Sequence, residues 1–254
     1  YRGIDLEDLV AGFQREDRHG FDETVFLLLT GYLPSKTELD EFSAYMGSLR
    51  ALPDDFTKDM ILSMKGKDVL NILARSVLGL YILDDRADDI SLSNMIRQSL
   101  NLIAKFPTIV AYSYQAMRHL YKGRTLSIRH PDPELSTAEN FLYLIKGTTP
   151  SFTKLEADLL DLMLVLHAEH GGGNNSTFTM RVTSSSETDI YSSVTSAIGS
   201  LKGPLHGGAN LKVLEMMENI KLNMKDWKDE EELKNYLLKI LNRQANDYSG
   251  KIYG

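Results

Sequence analysis

Leu166-His167-Ala168-Glu169-His170-Gly171-Gly172-Gly173-Asn174-Asn175-Ser176, followed later by Leu201-Lys202-Gly203-Pro204-Leu205-His206-Gly207-Gly208-Ala209-Asn210, gathers three of the six histidines around two glycine-rich turns. Glycine beside histidine lets backbone approach a ligand closely, because no Cβ stands in the way. Each turn lies between runs of helical period. Thr153 to about His167 is apolar almost all round, through Leu155, Leu159, Leu160, Leu162, Met163, Leu164, Val165 and Leu166. Such a helix is expected to be buried on all sides, in a large core or at a subunit interface. Ser176 to Ser184 and Thr188 to Leu201 read as helices. The second carries small side chains (Ser192, Ser193, Ser196, Ala197, Gly199, Ser200) that permit close helix packing. Gly208 to Ile220 follows as a helix through Leu211, Val213, Leu214, Met216 and Met217.

The same period extends outward in both directions. Leu6, Leu9, Val10 and Phe13 share one face, and Asp22 to Thr30 is a helix that stops at Gly31 before Pro34. Ser35 with Glu38, and Ser136 with Glu139, match capping boxes that open helices to about Arg50 and to Ile145. Asp54 to Met64, Asp68 to Leu83 and a run starting at Ser91 read as further helices. Pro107 is expected to break or kink the last, with Thr108 to Tyr121 as its continuation. Tyr112, Tyr114 and Tyr121 there read as packing residues. Lys122 to Leu135 is loop-like, and Gly147-Thr148-Thr149-Pro150 is expected to end the helix before it. Lys221 to Asp229 reads as a polar, exposed segment, and Glu230 to Gln244 is the last helix. No alternating strand pattern and no repeat period appears. The fold class is therefore all-α, with roughly a dozen helices.

Composition narrows the function. The chain has 254 residues, with 43% hydrophobic and 25% charged, as expected of an ordinary globular chain. Its 28 basic and 35 acidic residues give a net charge of -7, which disfavours nucleic acid as the main partner. There is no cysteine, so disulfides, thiolate metal sites and a cysteine nucleophile are excluded. No apolar run reaches transmembrane length, so no membrane partner is expected. A reducing compartment fits, and a cytoplasmic location is expected. The first residue is Tyr1 rather than Met, so a fragment or processed product is expected.

His167 and His170 are three apart and would share a face on a helix. Metal binding is disfavoured: the H-E-x-x-H spacing is absent, and a third ligand would have to come from His206. The glycine triplet is neither a P-loop nor a dinucleotide fingerprint. His170 reads as the C-terminal end of a long helix, where carbonyl ends favour a cation that could pair with an anionic substrate. His206 reads as preceding a helix N-terminus, which favours neutral imidazole. A neutral imidazole there could donate a hydrogen bond to a developing enolate. On spacing alone, capping or core packing accounts for both histidines equally well.

The segments His167-Ala168-Glu169-His170, Asn174-Asn175-Ser176-Thr177-Phe178-Thr179 and Gly203-Pro204-Leu205-His206-Gly207-Gly208-Ala209-Asn210 resemble the citrate synthase family. Tyr1-Arg2-Gly3 and Leu28-Leu29-Thr30-Gly31-Tyr32-Leu33-Pro34 extend the resemblance in the family's order over essentially the whole chain. It implies condensation of acetyl-CoA with oxaloacetate and water, giving citrate and CoA, with acetyl-CoA as co-substrate and no permanently bound cofactor. His206 matches the histidine that bonds the acetyl carbonyl oxygen as the enolate forms. His170 matches a histidine that binds oxaloacetate, Asn174 looks like a pocket residue, and His167 matches a supporting position. The family fold is helical, with a large domain that carries a dimer interface and a small domain that closes over the substrates. By analogy, residues 1–207 form the large domain and 208–254 begin the small one, so a homodimer is expected.

The family pattern continues with a G-x-G-H segment, a catalytic aspartate and carboxylate-binding arginines, none of which this sequence contains. His19, His119 and His130 do not match those roles. The 254 residues alone are therefore expected to be inactive. Two alternatives are 2-methylcitrate synthase, which takes propionyl-CoA, and a non-catalytic helical module that dimerises. The apolar Leu155–Leu166 helix and the small-residue Ser192–Ser200 helix suit the module reading.

Overall fold

A computed structural model describes residues 1–146 and 152–253, and in these residues it contains helices and no strand. The helices are α1 (Leu6–Arg15), α2 (Phe21–Thr30), α3 (Lys36–Ser48), α4 (Asp54–Phe56), α5 (Val69–Leu80), α6 (Leu92–Lys122) and α7 (Thr137–Ile145). They continue as α8 (Lys154–Leu166), α9 (Asn175–Ser184), α10 (Ile190–Lys202), α11 (Ala209–Asn223) and α12 (Glu230–Leu241). Local signals set many of the ends. Both expected capping boxes form, at Ser35 with Glu38 and at Ser136 with Glu139, and a third joins Thr153 to Glu156. Gly31 ends α2 at φ 90°, a conformation that costs glycine little. Gly147-Thr148-Thr149-Pro150 lies outside the described residues.

Tertiary packing overrides the sequence signals at several places. Pro107 does not divide α6, which runs unbroken for 31 residues. Interior proline costs roughly 3 kcal/mol. Burial of Leu102, Ala104, Thr108, Ile109, Ala111 and Tyr112 around it offsets that cost. Of the three tyrosines on α6, only Tyr112 packs inside, with its hydroxyl donating to Arg129 O at 2.6 Å. Tyr114 and Tyr121 are exposed, with Arg118 and Lys67 over their rings. Asp54 to Ser63 is helical as expected, but Thr57–Ser63 widens to a π-helix that buries Thr57 and Ile61. Met224 is buried against Met216, Ile220 and Ile240 rather than exposed.

The chain divides into two compact units, Tyr1–Gly199 and Ser200–Gly254. The largest core of the first joins α5, α6, α7 and α10 through Ile72, Val77, Leu102, Ile109, Leu144, Ile190 and Ile198. A second cluster seats α8 on α1 and α2, through Leu9, Phe13, Leu27 and Val165. Gly20 begins α2 without a side chain to cap it. The buried Asp161 of α8 does so instead, accepting from Gly20 N at 2.6 Å and Phe21 N at 3.2 Å. The outer face of α8 is not covered within the unit. Leu155 is 66% exposed, Leu159 52% and Met163 56%, whereas Val165 is 0% exposed. Burial on all sides is thus not met by this chain's own core.

One polar network locks the first unit internally. The Asp84 carboxylate accepts from Arg97 Nη2 at 2.7 and 2.8 Å, Gln98 Nε2 at 2.9 Å and the Tyr191 hydroxyl at 2.7 Å. It thereby ties the turn after α5 to α6 and α10. Burial pushes this carboxyl up, but the hydrogen bonds from Gln98, Tyr191 and Arg97 outweigh it and hold the pKa at about 2.

Candidate active site

In the first unit, α8 stops at Leu166 and His167 is its C-cap. His167 Nδ1 lies 2.8 Å from Met163 O, so this nitrogen carries a proton and donates. His170 is therefore not at the end of the helix as expected, but in the loop between α8 and α9. The two rings still meet, edge to face, with centroids 5.9 Å apart. Both histidines are exposed. Glu169 accepts from Gly171 N, and Gly171 has φ 72°, which folds the loop back toward α9. Asn174 is the N-cap of α9, its Oδ1 accepting from Ser176 N at 2.9 Å and Thr177 N at 3.2 Å. Capping uses its carbonyl oxygen, and its amide NH2 is a separate pair of donors.

In the second unit, Gly203 O accepts from His206 N at 3.0 Å and Gly207 N at 2.9 Å, which closes a turn around Pro204 and Leu205. His206 sits two residues before Gly208, the N-cap of α11. The glycines here are required by contact rather than by torsion. A Cβ on Gly207 would collide with Leu201 O, and one on Gly208 with Pro204 O. Gly207→Ala is therefore expected to cost roughly 1–3 kcal/mol of unfolding free energy, read from urea denaturation. Gly199→Ala is the control, since a Cβ there meets nothing within 4 Å. Helix propensity makes it neutral or stabilising by up to about 1 kcal/mol.

A family model for the C-terminal domain of citrate synthase matches residues 1–254. The chain belongs to the citrate synthase family. It is 40% identical to a citrate synthase of Deinococcus radiodurans over 204 residues, covering 80% of this chain and 52% of that protein. It is 32% identical to a 2-methylcitrate synthase of Shewanella oneidensis, covering 96% of this chain and 59% of that protein. The crystal structure of citrate synthase from Pyrobaculum aerophilum superposes with a TM-score of 0.76 at 30% identity, covering 96% of this chain and 56% of that one. The chain thus spans about half the length of the citrate synthases it matches.

Within this family framework, His167, His170 and Asn174 lie on one loop, and His206 lies on a turn of the second unit. Among the described residues, no group of three or more His, Asp or Glu side chains is placed to hold a metal ion. Two contacts at the loop were not read from the sequence. Arg181 of α9 lies against Gly172, where a Cβ would come 2.9 Å from Nη1. Tyr1 donates its hydroxyl to the last carbonyls of α8. The glycine triplet signals the first contact, since a glycine often marks where another group comes close. No local pattern signals the second.

Proposed function

We propose that this chain is the larger helical part of a citrate synthase, which condenses acetyl-CoA with oxaloacetate and water to give citrate and CoA. The observation that carries this reading is the turn at Gly203 to Gly208. Two glycines that tolerate no Cβ hold His206 just ahead of a helix N-terminus. From there the imidazole can donate a hydrogen bond to the acetyl carbonyl oxygen as the methyl proton leaves. The enolate carbon then bonds to the carbonyl carbon of oxaloacetate, and water releases CoA from the thioester. His170 serves the oxaloacetate carboxylates, with Asn174 beside it and His167 in support. The Nδ1 bond from His167 to Met163 O fits a supporting role, since it fixes one ring against the edge of the other.

The resemblance assigns proton removal to an aspartate that has no counterpart in residues 1–254, so these residues alone are expected to form no citrate. The division into large and small domains near Gly207 and a cytoplasmic location belong to the same reading. Among the described residues, no helix is long and apolar enough to cross a membrane. A homodimer is supported by the exposed row Leu155, Leu159 and Met163 on α8, which self-association would cover.

Release of CoA thiol from acetyl-CoA and oxaloacetate tests the function, and the absence of cysteine from the 254 residues keeps the thiol background low. The protein carrying the family's remaining segments is expected to be active, and residues 1–254 inactive. Activity of residues 1–254 alone would overturn the assignment of the base. A rate with propionyl-CoA above that with acetyl-CoA would favour 2-methylcitrate formation. One methylene is worth only about 1–3 kcal/mol of discrimination in an apolar pocket. Silence with both thioesters in the longer protein would leave the non-catalytic dimerising module, which sedimentation would then reveal.

A further inference from the structure

Tyr1 and Arg2 make a two-armed contact that the proposed chemistry does not use. Tyr1 to Ile4 form a tight turn, with Ile4 N donating to Tyr1 O at 3.0 Å. Both central residues have positive φ, 53° at Arg2 and 86° at Gly3. That torsion pair is the type I′ turn, in which glycine is at ease and arginine is not. The two side chains reach different helix ends. The Tyr1 hydroxyl donates to Val165 O at 2.7 Å, with Leu166 O at 3.2 Å. Arg2 donates to Leu28 O from Nε at 3.0 Å and from Nη2 at 2.7 Å.

All three acceptors lie in the last turn of a helix, where carbonyls lose their i+4 amide partners, and Val165 O is met otherwise by the weaker contact from Ala168 N at 3.2 Å and the cap N–H of His167. At α2 the guanidinium also places a positive charge at the negative end of the helix. At α8 the hydroxyl holds the final carbonyls, immediately before His167 bonds back to Met163 O and packs on His170. A connected path therefore runs from the Arg2 anchor on α2, through Tyr1, to the end of α8 and the histidine pair.

We propose that Tyr1 and Arg2 are positioning residues for the substrate-binding histidine loop, fixing where α8 ends and so where His167 and His170 stand. The proposal rests on the reading of His170 as an oxaloacetate ligand. It predicts that the loop loosens without unfolding when either arm is removed. The hydroxyl is the more direct arm, because it touches the helix that carries the histidines. The arginine acts at one remove, by holding the turn that carries Tyr1.

The test uses the protein with the family's remaining segments, in wild-type, Tyr1→Phe, Arg2→Met and Tyr32→Phe forms. Tyr32 is a control tyrosine, whose exposed hydroxyl meets Glu38 at 3.5 Å. Amide hydrogen exchange over residues 165–171 is measured without substrate, and KM for oxaloacetate and kcat are measured separately. For Tyr1→Phe, exchange about five- to tenfold faster is expected, from loss of one hydrogen bond. KM should rise by a similar factor while kcat changes less than about twofold. Arg2→Met should move both readouts in the same direction, and Tyr32→Phe neither.

Unchanged exchange in Tyr1→Phe would overturn the proposal whatever the kinetics. Faster exchange with unchanged KM would also overturn it, leaving Tyr1 as a helix cap with no bearing on the site. A global rise in exchange over the whole chain would show loss of folding rather than of position, and it too would count against the proposal. Failure of the functional reading would show differently, as absence of oxaloacetate turnover in the wild-type protein itself.

Discussion

Changing His206 to alanine, in the protein that carries the family's remaining segments, is expected to lower kcat for citrate formation about a hundredfold to ten-thousandfold. The oxaloacetate KM should stay near the wild-type value. The split follows from the roles proposed for the two histidines. His206 meets the acetyl group only as its carbonyl oxygen gains charge, so its loss is felt in the transition state and little in the ground state. His170 meets a substrate already charged, so His170→Ala should raise the oxaloacetate KM instead. Steady-state kinetics on the two variants checks both. A His206 variant with wild-type kcat would remove this residue from the chemistry. It would leave the turn of Gly203 to Gly208 as a structural corner.

Asp84→Ala is expected to destabilise the first unit by roughly 3 kcal/mol at pH 7. Its carboxylate accepts from Arg97, Gln98 and Tyr191 at once. Removing it strands the buried Gln98 amide and Tyr191 phenol, together with the half-exposed Arg97 guanidinium. The pH dependence has a definite sign. The folded carboxyl titrates at about 2, below the ordinary aspartate value of 3.8. Its contribution is therefore complete above about pH 4 and disappears as the pH falls through 2. A shift of that size corresponds to about 2 kcal/mol. Urea midpoints of wild-type and Asp84→Asn protein should differ near pH 7 and converge as the pH approaches 2. Midpoints that differ equally at pH 7 and at pH 2.5 would show that the charge contributes nothing.

Most helices were legible because their signals are local. Ser35 with Glu38 and Ser136 with Glu139 mark two N-termini within four residues of sequence, and Gly31 marks a C-terminus. The end of α8 was legible to within a residue, at about His167, but the contacts that cap it were not. It depends on the Tyr1 hydroxyl, which lies 164 residues from Val165 in sequence, and on a backbone contact made by the His167 ring. At Pro107 a break is outweighed by buried neighbours on both sides, and the helix continues through Tyr121 as read. The π-helix at Thr57–Ser63 has no compositional mark at all, since the extra residue per turn serves to bury Thr57 and Ile61. The histidines were found by their glycine neighbours. Their orientation was not, because the sequence does not show how the four residues after Leu166 bring the His170 ring against His167.

The uncovered row of Leu155, Leu159 and Met163 on α8 also fixes the sign of a temperature response. Withdrawing apolar surface from water is driven by entropy near room temperature and carries a negative heat-capacity change. An association made through this row therefore weakens on cooling. If the proposed homodimer forms through this row, a chilled sample holds more separated chains than the same sample at room temperature, and storage in the cold favours the form with this row open to solvent.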